Sequence, residues 1–320
     1  KKKFFTSNND LNNILSCLVT EYDVHLICRK SVQKFNFLIS EKFNFFKKNK
    51  EKDEKMNVLM ISITPYNFFS LLKLYLSGEK ITGYVFLRSD GFLEYKIKYG
   101  VLGYFFYFFM FYIISKKLKI LSVSKKFTNV KIKRILHPSE LNKTWLKKNK
   151  KINKFKIDFL YVGRFKREKG SYFLAKIFKE NLTNYNLTIV GTKKKFIEKK
   201  YYAKNINYIG PVVKSNKLIK LYDSARIFIL PSFTEGYPKV VSESLARFKP
   251  IIIFKEIEHI VNRRKGIFVC KREIKNIKKI FKFILRNYRN IQKTISKNYI
   301  YTKEDFKREL LSSIRNEFNK

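Results

Sequence analysis

The residue order predicts an α/β protein built from two doubly wound parallel sheets, and three observations carry that expectation. Short apolar runs rich in Ile, Val and Phe alternate with helical segments along most of the 320 residues, the succession that a parallel sheet with crossover helices requires. The strand-and-helix rhythm starts afresh after a very basic stretch, Leu146–Lys156. The division is therefore a first domain over 1–140, a linker over 141–156, a second domain over 157–300 and a further helix within 301–320. The third observation is one compact unit, Arg226–Phe254, which reads strand, loop, helix, strand.

Taken in order, Phe4–Phe5 ends a first strand. Leu11, Ile14, Leu15, Leu18 and Val19 follow at helical spacing behind Asp10 as N-cap, and Asp23–Cys28 reads as a strand. Lys47–Lys55 is a charged surface connection. Val58–Ile63 is a strand closed by Thr64-Pro65, Phe68–Leu76 a helix stopped near Ser77-Gly78, and Gly83–Leu87 a strand running into the polar turn Arg88-Ser89-Asp90-Gly91. Val101–Ile114 holds fourteen residues without a charge, crowded with Phe and Tyr. A bilayer span needs about 20 apolar residues, so two readings stand: a buried helix, and a helix lying in a membrane interface beside Lys116 and Lys117. Ile120–Ser124 and Ile132–Leu136 complete the strands of this half, and His137-Pro138 opens toward the linker.

The second half repeats the pattern. Phe159–Val162 is a strand, Gly163-Arg164 a turn, Phe165–Gly170 a basic loop and Tyr172–Phe178 a helix. Leu187–Val190 with Gly191, and Ile206–Ile209 with Gly210-Pro211, are strand-turn pairs, and Leu218–Ser224 is a short helix. Ile227–Leu230 is a strand stopped by Pro231. Ser232–Tyr237 forms a polar loop, and Pro238 suits the first turn of the next helix. In that helix Val240, Val241, Ser244, Leu245 and Phe248 share one face, while Glu243 points roughly 130° away from it. Ile251–Phe254 and Gly266–Cys270 are buried strands, and Ile274–Tyr288 is a basic helix.

Composition narrows the classes of partner. The formal net charge is +45, from 70 Lys+Arg against 25 Asp+Glu. Such a balance favours anionic partners, and a Lys-rich compositional bias explains it equally well. Cys17, Cys28 and Cys270 form no CxxC, and the three histidines, His25, His137 and His259, are isolated. No metal site, disulfide framework or signal peptide is read, and a reducing cytoplasm is the expected setting. No zinc-finger, RNP-type or helix-turn-helix signature occurs and the aromatics sit in apolar runs, so no specific nucleic acid is expected; a basic nucleic-acid binder remains an alternative that a salt titration would test.

Glu235 and Glu243 stand with seven residues between them within EGYPKVVSESLARFKP. Both acids can face the crevice at a strand's carboxyl end, and the loop N–H groups with the helix N-terminus suit phosphate or sugar oxygens. This segment resembles the donor-binding signature of family 4 glycosyltransferases, E-x7-E in the context E-G-[FY]-[GP]-x-V-x-x-E-[AS]-x-A-x-x-x-P. Glu235, Gly236, Tyr237, Pro238, Val240, Glu243, Ser244, Ala246 and Pro250 fit it. GRFKREKG resembles the family's G-R-x-x-x-x-K-G, with Gly163, Arg164 and Lys169 in place.

The resemblance implies the GT-B fold, two Rossmann-like domains with a donor/acceptor cleft between them, and a terminal helix packing back on the first domain. It implies a retaining, metal-independent transfer of sugar from a nucleotide-diphospho-sugar to a glycan or lipid-linked acceptor, in envelope polysaccharide, lipopolysaccharide or glycolipid synthesis. The donor is then a co-substrate and no cofactor is called for. No D-x-D occurs, so Arg164 and Lys169 would neutralise the diphosphate. Glu243 would accept from the ribose, Glu235 and the N–H groups of Gly236–Lys239 would orient the sugar, and Gly210 would lie beside the base. Asp90 matches the place of an acceptor-side acid or histidine, with a plain Asp-Gly turn as its alternative. The expected location is cytoplasmic, peripheral on the inner face of a membrane with an anionic surface. Two departures keep a catalytically silent nucleotide-binding module open: no glycine precedes Gly78, and ARFKP replaces a segment where relatives often have glycine.

Overall fold

The computed structural model describes residues 4–6, 9–29, 37–39, 43–46, 55–147 and 155–318. Residues 47–54 of the expected connection over 47–55, and 148–154 of the linker over 141–156, lie outside them. The chain divides into two compact units, Lys1–Glu140 with Lys303–Lys320, and Leu141–Thr302.

In the first unit, strand β1 (Phe4–Thr6) is followed by helix α1 (Asn9–Leu18), which starts one residue ahead of Asp10 and so takes that residue into the helix. Three short strands come next, β2 (His25–Leu26), β3 (Phe37–Ile39) and β4 (Asn44–Phe45); β1 pairs with β3 antiparallel and β2 with β4 parallel. A four-stranded parallel sheet follows in the order β5 (Met56–Ile61), β6 (Ile81–Leu87), β7 (Lys119–Ser122), β8 (Ile132–Ile135). Helix α2 (Pro65–Leu76) crosses from β5 to β6. It begins where Thr64 Oγ1 accepts from Asn67 N at 3.2 Å, with Pro65 in the first turn. Its apolar stripe, Phe68, Leu71 and Leu74, is buried.

Helix α3 (Gly91–Lys117) crosses from β6 to β7 and departs from expectation twice. Arg88–Gly91 is the start of this helix, with Asp90 as N-cap, and not a free-standing turn. The apolar stretch Val101–Ile114 is not a buried helix either. Gly103, Tyr107, Met110, Phe111 and Ile114 face the interior, while Leu102, Phe105, Phe106, Phe108 and Phe109 are exposed. A helix apolar all round can hide only one flank against a single sheet. Gly100 (φ 68°, ψ −154°) breaks the helical path, a conformation open to glycine.

The second unit begins with α4 (Lys143–Leu146) and carries a six-stranded sheet, every pairing parallel. Its strands are β9 (Ile157–Val162), β10 (Leu187–Val190), β11 (Ile206–Ile209), β12 (Ala225–Leu230), β13 (Ile251–Phe254) and β14 (Ile267–Cys270), in the spatial order β11-β10-β9-β12-β13-β14. Relative to their sequence order this is 3-2-1-4-5-6, so the winding reverses between β9 and β12, the switch point where open α/β sheets bind ligands. Helices α5 (Ser171–Glu180), α6 (Ser215–Ser224), α7 (Lys239–Ala246), α8 (Ile274–Arg286) and α9 (Tyr288–Ile295) complete the unit. The basic helix expected to run through Tyr288 therefore breaks at Asn287. All four residues of β10 and of β13 are buried, as strands covered on both faces must be.

The closing helix, α10 (Lys303–Phe318), groups with the first unit. His137, read from sequence as an isolated residue, is one anchor: its backbone N–H donates to Glu309 Oε2 at 2.9 Å and its Nδ1 stands 3.0 Å from Glu309 Oε1. Phe306, Leu310, Leu311 and Ile314 are buried beneath the helix.

Candidate functional site

Parallel register brings the strand ends of the second unit to one edge. Val162, Val190 and Ile209 are paired across β9, β10 and β11, so Gly163, Gly191 and Gly210 follow side by side. Gly163 N donates to Val190 O at 2.8 Å and Gly191 N to Ile209 O at 2.9 Å, extending the ladder past the strands. At Gly191 (φ 126°) a Cβ would stand 2.4 Å from Gly163 O, so the backbones here approach too closely for a side chain.

Across the switch point, Pro231 ends β12 and opens the loop of the first acid. Gly170 (φ 65°) lies so near this loop that a Cβ would meet Pro231 O at 1.8 Å, and Phe233 N donates to Glu168 O at 3.1 Å. That approach brings Lys169 to the loop. Its ammonium stands 2.8 Å from Glu235 Oε1, which also accepts from Ser232 Oγ at 2.6 Å. Both partners of the ion pair are largely buried, at 26% and 12% side-chain exposure, which makes the contact stronger than a surface pair. His259 Nε2 lies 2.9 Å from Glu235 O, where its N–H donates. Arg272 holds the loop from beneath: Nη2 donates to Pro231 O at 2.8 Å and Ser232 O at 3.0 Å, with the guanidinium 3.9 Å from the Phe233 ring centroid.

Pro238 is the N-cap of α7 and not its first helical residue, so the helix starts at Lys239. Val241, Ser244 and Leu245 are buried and Val240 is half-buried. Glu243 keeps partial solvent access, and Tyr222, fully buried, donates its hydroxyl to Glu243 Oε2 at 2.8 Å. Burial raises the Glu243 carboxyl above the ordinary range, opposed by the Tyr222 bond and by Lys239 one turn away. Burial also pulls the Lys239 ammonium down to about 8, against the attraction of Glu243. Phe248 is not part of the helix face: α7 ends at Ala246, and Phe248 takes the left-handed position (φ 55°) of its terminating turn. Phe248 N donates to Leu245 O and Lys249 N to Ser244 O, both at 3.0 Å, the paired bonds of a Schellman motif that ordinarily prefers glycine there.

The substituted Arg-Phe-Lys segment has a structural use in this chain. Arg247, buried, grips Asp223 with Nε at 2.8 Å and Nη2 at 2.9 Å, while its Nη1 donates to Trp145 O and Lys147 O. Lys249, 1% exposed, donates to Asp223 O at 3.0 Å. The helix carrying Glu243 is thereby tied to α4 and α6 by satisfied buried cations.

Of the residues singled out from sequence, Gly163, Lys169, Gly210, Glu235 and the loop Gly236–Lys239 belong to this edge of the second unit, with Val240 and Glu243 on α7. Arg164 is exposed there, its carbonyl accepting from Tyr161 OH at 2.9 Å. Asp90 belongs to the other unit, where its Oδ1 accepts from Leu93 N at 3.0 Å. Ser232, Tyr222, His259 and Arg272 were given no site role from sequence, His259 being read as isolated; Tyr222, His259 and Arg272 reach the two acids or the Glu235 loop through tertiary packing. Only Ser232, three residues before Glu235 in a polar loop, had a local signal. Among the described residues no three His, Cys, Asp or Glu gather as a metal site.

The family model described as glycosyl transferases group 1 matches residues 142–300, the span that holds this edge. An uncharacterized glycosyltransferase of Haemophilus influenzae is 29% identical over 167 residues, 49% of this chain and 46% of its own length. The capsular polysaccharide biosynthesis glycosyltransferase CapM of Staphylococcus aureus is 30% identical over 149 residues, 43% of this chain and 39% of its own. The chain thus spans less than half the length of these curated relatives. Among solved structures, sucrose-phosphate synthase from Thermosynechococcus elongatus superposes with a TM-score of 0.62 at 12% identity, covering 83% of this chain and 74% of that one. HepE of Anabaena, solved with UDP and glucose, gives 0.60 at 11%, covering 80% and 77%. The chain belongs to the group 1 glycosyl transferases and has the GT-B fold.

Proposed function

We propose that this chain transfers a sugar from a nucleotide-diphospho-sugar to an acceptor hydroxyl. The observation that carries the proposal is the Lys169–Glu235 pair, 2.8 Å apart, above the glycine-lined carboxyl edge of a switch point. Without donor the two charges satisfy each other. A bound donor offers each a better partner: the diphosphate takes the Lys169 ammonium, and a sugar hydroxyl donates to Glu235. Arg164, exposed on the neighbouring turn, adds a second cation against the charge that grows on the leaving nucleotide. In this reading the N–H groups of Gly236, Tyr237 and Lys239, at the start of α7, donate to the same oxygens. Glu243, its carboxylate aimed by Tyr222, accepts from the ribose hydroxyls, and Gly210 lies beside the base.

With Lys169 and Arg164 carrying the diphosphate charge, the reaction we infer needs no metal. Attack on the face from which the nucleotide leaves retains the anomeric configuration, and Glu235 orients the sugar without bonding to it. The first unit takes the acceptor, with Asp90 beside the attacking hydroxyl. We place the acceptor, a glycan or lipid-linked hydroxyl on the cytoplasmic side, in envelope polysaccharide, lipopolysaccharide or glycolipid synthesis; two relatives in Staphylococcus aureus that are capsular polysaccharide biosynthesis glycosyltransferases support the polysaccharide part.

A melting panel with UDP, GDP, ADP and their sugar conjugates tests the donor site. Ligand at about a hundred times its Kd adds about 2.7 kcal/mol. The expected result is a rise of several degrees with one nucleotide, abolished in Glu243→Ala. No rise with any of them overturns the proposal; a rise without turnover on any sugar conjugate reduces it to a silent nucleotide-binding module.

A further inference from the structure

We infer that the outer face of α3 seats on an anionic bilayer surface, lying in the plane of the headgroups. The inference is independent of the sugar-transfer proposal. Leu102 (82% exposed), Phe105, Phe106, Phe108, Phe109 and Tyr112 stand in solvent on this helix. At 100° per residue, the inward positions Gly103, Tyr107, Met110, Phe111 and Ile114 fall within roughly 100° of one another, and every residue of Val101–Ile114 outside that strip is apolar or aromatic. Helix α2 packs alongside, its Phe68 ring 6.0 Å from that of Phe109, and exposes Phe69 (57%) and Leu76 (80%). A contiguous apolar patch of this kind marks an interaction surface.

The helix is long and apolar enough by composition to cross a membrane, yet its geometry forbids it. Gly100 breaks the path, and the straight part after it, Val101–Lys117, is about 25 Å long at 1.5 Å per residue, short of the about 30 Å hydrocarbon core. Its inner flank is occupied by the sheet of its own unit. Only one side is open to lipid, which is the arrangement of an interfacial helix.

Charge decides between lipid and a second copy of the chain. No Asp or Glu occurs between Glu94 and Glu140, whereas exposed Lys96 and Lys98 precede the apolar stretch and Lys116, Lys117 and Lys119 follow it. Lys116 Nζ lies 2.5 Å from Tyr112 OH and 4.2 Å from that ring's centroid, so its ammonium sits at the rim of the apolar face. Two copies meeting through this face would set lysines against lysines across a two-fold axis. Anionic headgroups accept both the lysines and the aromatic rings that favour the interfacial zone.

Flotation of the whole chain with phosphatidylcholine vesicles, alone and doped with phosphatidylglycerol, tests this at low and high salt. Wild type floats with the doped vesicles and retains part of that binding at high salt. Phe105→Ser with Phe109→Ser weakens it about tenfold through lost apolar insertion, and Leu102→Ser, at a site with little to unfold, weakens it in the same direction. Lys116→Gln with Lys117→Gln removes the preference for doped vesicles. The inference is overturned if wild type fails to float, if the Phe variant floats as wild type does, or if sedimentation shows a dimer that the Phe variant abolishes. The nucleotide-dependent melting shift should be unchanged in every variant; it reports on the other unit, so failure of either proposal leaves the other standing.

Discussion

Helices α3 and α8 both draw heavily on Phe, Ile, Leu and Lys, and treat water differently. In α8 the apolar residues Ile277, Phe281 and Ile284 are buried, and Lys275, Lys278, Lys279 and Lys282 take the other side. In α3 fourteen successive positions carry no lysine, although most of them face solvent. On α8 lysines fill most of the exposed face, with Phe283 and Leu285 as its exposed apolar residues. The first unit withholds Lys from one exposed face and places it at both ends. Bias alone therefore explains the charge of the second unit and does not explain the pattern of the first. The difference is the one the two proposals require: a small anionic ligand at the carboxyl edge of one unit, an extended anionic surface against the other.

The contrast is tested most sharply at Lys169. Lys169→Ala should lower kcat/KM by roughly 2–4 kcal/mol, the cost of removing one preorganised donor from developing charge, with vesicle binding unaffected. Activity equal to wild type would refute the diphosphate contact and leave the pair a structural ion pair. A smaller effect is expected at Tyr222, where Phe removes one hydrogen bond to the Glu243 carboxylate and keeps the ring. Donor KM should rise by a factor corresponding to about 1–2 kcal/mol with kcat nearly constant, and an unaltered KM would mean that Tyr222 only fills the core. The least effect separates the two readings of Asp90. As a cap, Asp90→Ala costs about 1 kcal/mol of stability and Asp90→Asn almost none. As an acceptor-side acid, Asp90→Asn lowers turnover while donor binding and melting temperature hold. Equal behaviour of Asn and Asp in turnover would leave the cap as its whole role.

Much of the second unit was legible because its signals are local. Phe159–Val162, Ile227–Leu230 and Ile251–Phe254 are continuous apolar runs, and Leu187–Val190 is broken only by Thr188; each is bounded by Gly or Pro, and such runs have few alternatives once flanked by helical periodicity. The Glu235 and Glu243 spacing and the Gly163–Gly170 segment lie within single connected stretches. In the first unit the same method left α3 between a buried and an interfacial helix, since periodicity that shows no polar face cannot say whether a neighbour covers it. Phe248 was counted into the α7 stripe for a related reason: the turn that ends the helix uses a left-handed Phe where glycine would have announced the stop.

By itself the amino-acid order determined where chain direction changes, which side chains are apolar, and the two acids and the lysine of the carboxyl edge. Those properties depend on a residue and its near neighbours. Tertiary structure alone decided that Lys169 meets Glu235, that Tyr222 aims Glu243, that Arg272 and His259 hold the acid loop, and that the outer flank of α3 has no cover. Each joins positions far apart in sequence or depends on what stands opposite a helix, and spacing along the chain carries no information about either until the sheet has closed.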